Sequence, residues 1–240
     1  MRAILIGALM LAACTTRFDA DFEQDVLGGL PAAQPPGPPA DEIVVSTSTT
    51  SGDGTLIRIT DNPGIVAPGA DFRFMSLIRD PDPGATSIAL LRSSPMETAT
   101  EPLFVTWTQV LNGGGTGRVG ISRFPLGDVE DFTQCQVTTT VGGIVGSCFI
   151  GETGPDVSGS IQGFDPQRPH LVSMRINRPG GPIQITVTQE NVSFTPIELA
   201  DPDMAWPDAG ARLQAQVEYD GQGESAYRFN QFLMTERLPD

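Results

Sequence analysis

A single antiparallel β-sandwich is the fold class this sequence predicts, and three observations predict it. Short runs rich in Val, Ile, Thr and aromatic residues alternate apolar with polar side chains at a period of two. Clusters of Gly, Pro, Asp and Asn separate these runs. No stretch sustains a helical period of ordinary length. About eleven to thirteen half-buried strands in one unit close most economically as two packed sheets.

The runs are expected near residues 55–60, 71–79, 86–92, 102–111, 117–124, 132–139, 144–150, 171–176, 183–188, 213–219 and 225–234. Ile183-Gln184-Ile185-Thr186-Val187-Thr188 alternates throughout, as does Leu213-Gln214-Ala215-Gln216-Val217-Glu218-Tyr219. Leu171 to Ile176 puts Val172, Met174 and Ile176 on one face and Ser173 and Arg175 on the other. Turn signals lie between the runs at Asp53-Gly54, Asn62-Pro63-Gly64, Pro83-Gly84, Asn112-Gly113, Pro179-Gly180-Gly181 and Asp220-Gly221. Gly113-Gly114-Gly115-Thr116-Gly117 has no lysine after it and no helix to open, so it reads as a hairpin loop and not as a phosphate cradle. The chain has no internal repeat, which argues against a propeller or solenoid.

The N-terminus follows other rules. Met1-Arg2 supplies one positive charge, and Ala3 to Leu11 is apolar apart from one glycine. That run is too short for a spanning helix, which needs roughly 20 apolar residues. It has the form of a secretory signal peptide. Leu11-Ala12-Ala13-Cys14 resembles the lipobox of bacterial lipoproteins. The resemblance implies removal of residues 1–13 and acylation of Cys14, which becomes a membrane anchor. Two or more acyl chains hold a protein stably where one does not. Thr15 follows the cysteine in place of the aspartate that favours inner-membrane retention, so the resemblance points to a lipid anchor in the outer membrane.

Residues 14–41 read as a disordered, lipidated, proline-rich linker, with five prolines from Pro31 to Pro39. Polyproline II rises about 3.1 Å per residue, so the 27 residues from Thr15 to Asp41 reach at most roughly 80 Å. The spacing of Phe18, Phe22 and Val26 also fits a short amphipathic helix. Residues 42–240 form the expected sandwich domain.

The formal charge is −15, and all 14 basic residues are arginine. So acidic a chain lacks the cations that phosphate backbones require, which excludes nucleic acid as a partner class. The missing lysine excludes Schiff-base chemistry. With Cys14 acylated, Cys135 and Cys148 remain, in an oxidising compartment where such a pair closes. If Thr140 to Gly143 form a four-residue loop, Cys135 faces Cys148 directly, within disulfide reach.

Trp206-Pro207-Asp208-Ala209-Gly210-Ala211-Arg212-Leu213-Gln214-Ala215, followed by a strand, a turn and Tyr227-Arg228-Phe229, resembles the closing strands of concanavalin-like jelly rolls, including alginate-lyase-type enzymes. The resemblance implies a jelly-roll sandwich. It does not extend to lyase chemistry, because the Gln-x-His and Arg-x-Glu-x-Arg strands of those enzymes are missing from the sequence.

Candidate chemistry is sparse. His170 is the one histidine and follows Pro169, without a paired nucleophile or second ligand in view. Asp80, Asp82, Asp201 and Asp203 are weak calcium candidates, since loops of sandwiches supply oxygen ligands, but they read first as solvated turn acids. No other cofactor is implied. Two facing carboxylates would make a glycosidase pair, a separation that sequence does not show. Arg175, Gln184, Gln189, Arg212, Gln214, Gln216 and Arg228 are expected to share one polar sheet face, with Trp107 and Trp206 as stacking platforms. Amides and guanidinium groups suit sugar hydroxyls and uronates, although an ordinary solvated face with both tryptophans in the core is the plainer reading. The combined expectation is a non-catalytic envelope lipoprotein binding a polysaccharide or an envelope protein. A jelly-roll carbohydrate-active enzyme and a structural subunit of an envelope assembly are the alternatives.

Overall fold

The computed structural model describes residues 15–20, 22, 44–49, 55–60, 74–79, 87–92, 102–122, 134–149, 155–176, 182–199, 212–219 and 225–236. Every regular element among them is a strand. In chain order these are β1 (Thr15–Ala20), β2 (Val44–Thr49), β3 (Thr55–Thr60), β4 (Phe74–Arg79), β5 (Ser87–Arg92), β6 (Leu103–Asn112), β7 (Thr116–Ser122) and β8 (Gln134–Thr140). There follow β9 (Gly143–Phe149), β10 (Pro155–Ile161), β11 (His170–Ile176), β12 (Ile183–Gln189), β13 (Val192–Ser193), β14 (Ile197–Leu199), β15 (Arg212–Tyr219) and β16 (Ser225–Glu236).

They form two antiparallel sheets, and the fold is the expected sandwich. A nine-stranded sheet runs β13-β12-β11-β6-β16-β4-β3, with β14 also on β12 and β1 also on β16. A seven-stranded sheet runs β10-β9-β8-β7-β15-β5-β2. The period-two pattern makes the core between them. Leu103, Val105, Trp107 and Leu111 of β6, with Val172, Met174 and Ile176 of β11, are buried from one sheet. Val119, Ile121, Val137, Ile144, Leu213 and Ala215 are buried from the other. Each fully buried Val, Leu or Ile contributes about 1.5–3 kcal/mol by leaving water. Aromatic rings fill the centre: Phe229 lies 4.2 Å from Tyr227 and 4.9 Å from Phe232 between ring centroids.

The β8–β9 hairpin has the expected register, with Cys135 opposite Cys148 and Thr139 opposite Ile144. Thr140 also pairs with Gly143, so the loop is the two-residue turn Val141-Gly142 and not four residues. The cysteines are disulfide-bonded, Cα atoms 4.2 Å apart, and face the core. Three expectations need correction. Gly113 to Gly115 do not close a hairpin, because β6 belongs to one sheet and β7 to the other; the glycines turn the chain across the sandwich. Trp107 is no stacking platform, for its ring is fully buried against Phe232. The segment after Cys14 is neither linker nor helix at its start. Thr15–Ala20 is a strand paired with β16, and Phe22 is a fully buried core residue. Cys14 and the prolines from Pro31 to Pro39 lie outside the described residues.

Candidate functional site

Two clusters of buried polar side chains stand out against the apolar core. The first lies between the sheets and is centred on Gln109 of β6. Its Oε1 accepts hydrogen bonds from Trp107 Nε1 at 2.6 Å and from the Tyr227 hydroxyl. Its Nε2 donates to Thr139 Oγ1 at 2.8 Å and contacts His170 Nε2 at 2.9 Å. His170 Nδ1 is 2.9 Å from the Arg168 carbonyl. A carbonyl only accepts, so Nδ1 carries the proton and Nε2 is the acceptor for Gln109. Both lone pairs and both protons of the Gln109 amide are therefore used. Thr139, from the opposite sheet, also contacts the Tyr227 hydroxyl at 3.4 Å, tying the sheets together through polar groups.

Burial sets the charge state here. Desolvation lowers the His170 pKa to about 4, outweighing the Arg168 carbonyl and the Asp165 charge, both of which raise it. Burial likewise pushes the Tyr227 phenol well above its ordinary value. Both groups are neutral across physiological pH. Gly117 makes room for the phenol ring: a β-carbon there would lie 2.5 Å from Tyr227 Cε1. His170 opens the core strand β11, and its ring is sealed from solvent beside Phe164, 4.8 Å away.

The second cluster lies on the outer face of the seven-stranded sheet. Core residues Val119, Val137 and Ala215 fix the inward parity of β7, β8 and β15, so the residues between them point outward. One cross-strand row reads Ser158, Ser147, Gln136, Gly120, Gln214. The next reads Ser160, Val145, Thr138, Arg118, Gln216. Burial deepens from the exposed edge residues Ser158 and Ser160 to Gln136, 5% exposed, and Gln216, fully buried. Gly120 is the one residue of the first row without a side chain. A β-carbon there would lie 2.5 Å from the Cys135 carbonyl oxygen, so only glycine allows this approach of β7 to β8. Beside it, Gln136 Oε1 is buried with no hydrogen-bond partner. An acceptor in that state is costly, roughly 1–3 kcal/mol, unless something occupies it.

The expected polar face is therefore divided between the two sheets. Gln214 and Gln216 are in the second row-forming cluster, on β15, the strand that Arg212 opens. Arg175 and Gln184 sit opposite each other on the nine-stranded sheet instead, with the Arg175 guanidinium 5.3 Å from the Phe104 ring centroid. Arg228, on the same sheet, donates to Asn112 Oδ1. It pairs at Val110 where Arg175 pairs at Phe104, about 20 Å away along β6. Gln189 is structural: its amide holds the Asp165 amide nitrogen at 3.0 Å and the Asp165 carbonyl at 2.8 Å. Trp206, Asp80, Asp82, Asp201 and Asp203 lie outside the described residues. Among the described residues no group of His, Cys, Asp or Glu could hold a metal ion. Sequence reasoning missed Gln136, Gly120 and Arg118. The available signal was Gln134-Cys135-Gln136, since an inward disulfide at 135 forces 136 outward.

No family model matches the sequence, and no curated protein matches it. Solved structures do. A legume lectin-like domain from Entamoeba histolytica is similar with a TM-score of 0.53 and 10% identity, over 81% of this chain and 89% of that one. The lectin UEA-II, complexed with galactose, gives 0.54 and 8% identity over 83% and 95%. A structure reported with endo-acting O-glycanases that prominent members of the human gut microbiota express to initiate mucin breakdown gives 0.58 and 10% over 91% and 98%. At these identities the likeness is one of fold: a lectin-like, concanavalin-like β-sandwich.

Proposed function

We propose that this chain is a lipid-anchored outer-membrane protein of a bacterial envelope whose sandwich binds a glycan, without catalysis, on the outer face of the seven-stranded sheet. Residues 1–13 act as the export signal, Cys14 carries the lipid, and the binding row is Gln136, Gln214 and Gln216 around Gly120, with Arg118 beside it. The observation that carries the reading is the buried, unpartnered Oε1 of Gln136. A sugar hydroxyl donates to such an oxygen. The described side chains of the two rows offer amides, hydroxyls, one apolar valine and a guanidinium, which is binding chemistry. The lectin-like sandwiches add support: one of them is complexed with galactose, and another with a fucose glycoside.

The test is a glycan array probed with the soluble chain beginning at Thr15, since β1 and Phe22 belong to the fold. The expected result is a defined hit that Gln136→Met weakens about tenfold, the worth of one well-made hydrogen bond, while unfolding midpoints hold. A blank array would turn the reading toward an envelope protein as ligand.

A further inference from the structure

The position of β1 says where the lipid would sit relative to the sandwich, and this rests on the lipid-anchor reading above. We infer that the Cys14 lipid holds the sandwich flush against the membrane, with no stalk between them, and that the proline-rich segment is a connection between the two sheets.

The first residue after Cys14 is already in the ladder. Thr15 pairs with Glu236, Thr16 with Thr235, Phe18 with Met234, Asp19 with Leu233 and Ala20 with Phe232. Two residues later the chain is pinned again. The Phe22 side chain is fully buried within the core cluster, and its backbone holds φ at 31°, a conformation a bulky residue adopts only when its surroundings impose it. Consecutive Cα atoms are about 3.8 Å apart, so the acylated residue lies within one residue's reach of the sheet edge. The prolines from Pro31 to Pro39 fall between Phe22 and Val44, that is, between a core residue following a strand of the nine-stranded sheet and the first residue of a strand in the seven-stranded sheet. A segment fixed at both ends in the sandwich adds nothing to the distance between sandwich and lipid, however stiff it is. The roughly 80 Å reach of a stalk from Thr15 to Asp41 disappears.

This also orients the molecule. The rung Thr15, Glu236, Leu103, Ile176, Ile183, Leu199 crosses the nine-stranded sheet at its membrane-proximal end. The Glu190-Asn191 turn, seven residues along β12 from Ile183, stands about 23 Å further out along the strand.

The experiment cuts the connection. A protease recognition sequence is inserted between Gln34 and Pro35 of the full-length chain, and the protein is cleaved in native membranes. A flush sandwich stays with the membrane fraction after complete cleavage, because β1 and Phe22 still hold the lipidated fragment. A stalked sandwich moves to the soluble fraction, which would overturn the inference. A second variant guards against a docked strand that simply dissociates once cut. Thr16→Cys with Thr235→Cys, opposite one another in register, should form a disulfide that keeps the cut protein membrane-bound until reductant is added. Failure of that disulfide to form overturns the strand placement, with or without lipid. An uncut chain that is soluble and bears no acyl mass on Cys14 instead removes the lipid reading, and the crosslink alone then reports on β1.

Discussion

The inner network around Gln109 and the outer row around Gln136 use the same side chain, a buried glutamine amide, with opposite accounting. Gln109 has a partner for both protons and both lone pairs, drawn from four residues on both sheets. Gln136 keeps an oxygen buried with none. A satisfied buried amide stabilises one register and one sandwich closure, because any slip leaves several groups orphaned. An unsatisfied one costs stability in the isolated fold, a cost that the proposed ligand would recover. Burial alone therefore does not separate the two amides; hydrogen-bond completeness does.

Breaking the inner network should have the largest effect. Gln109→Leu keeps the volume but strands the Trp107 and Tyr227 donors and the His170 acceptor, and should cost about 4 kcal/mol in denaturant unfolding. A loss below about 1 kcal/mol would mean water replaces the amide freely.

Acid should be the next most disruptive. In the unfolded chain His170 takes a proton near its ordinary pKa of 6.5, while in the fold it resists until about pH 4. The unfolded state thus binds more protons in that window. Stability should be fully present above pH 6.5, fall through the interval, and level off below about 4. Roughly 2.5 pH units at about 1.4 kcal/mol each give about 3 kcal/mol. Carboxylates contribute their own slope, so the check is the difference between the parent and His170→Gln, whose unfolding free energy should lack this component.

At the outer row, Gly120→Ala should cost about 2 kcal/mol, as the new methyl meets the Cys135 carbonyl oxygen and pushes β7 from β8. A thermal midpoint equal to the parent's would show that the strands part without penalty. The smallest effect belongs to Gln136→Met. Removing an orphaned acceptor should leave stability within about 1 kcal/mol, or raise it, while glycan binding falls. Loss of stability comparable to that of Gln109→Leu would make the two amides equivalent and erase the contrast between the regions.

Much of the scaffold was legible from pattern. β11, β12 and β15 announce themselves by strict alternation, and the β8–β9 register follows from two cysteines flanking a short glycine turn. The strands that pattern reasoning passed over lie largely at sheet margins. β2, Val44-Val45-Ser46-Thr47-Ser48-Thr49, and β10, which contains Pro155 and Gly159, are the two outermost strands of the seven-stranded sheet. Edge strands pair on one side and tolerate proline, glycine and polar runs, so they carry little periodic signal. β1 carries Arg17 and Asp19 and was masked further by its place between an apolar leader and a proline-rich stretch. The proposed binding row was half legible: Gln214 and Gln216 show as outward residues of a clean alternation, but their neighbours across β7 and β8 do not.

What the sequence alone determined is local in origin. Alternation dictates strands and their inward faces, the hairpin turn dictates that Cys135 meets Cys148, and the charge and the missing lysine set the expectation against nucleic acid and Schiff-base chemistry. Which strand lies beside which was decided only by the tertiary structure. β7 pairs with β15 across some ninety residues of chain, β1 pairs with the last strand, and His170 is sealed in the core. These outcomes depend on the joint packing of two sheets, in which each residue's surroundings come from distant segments, and a period read along one strand contains no record of its neighbours.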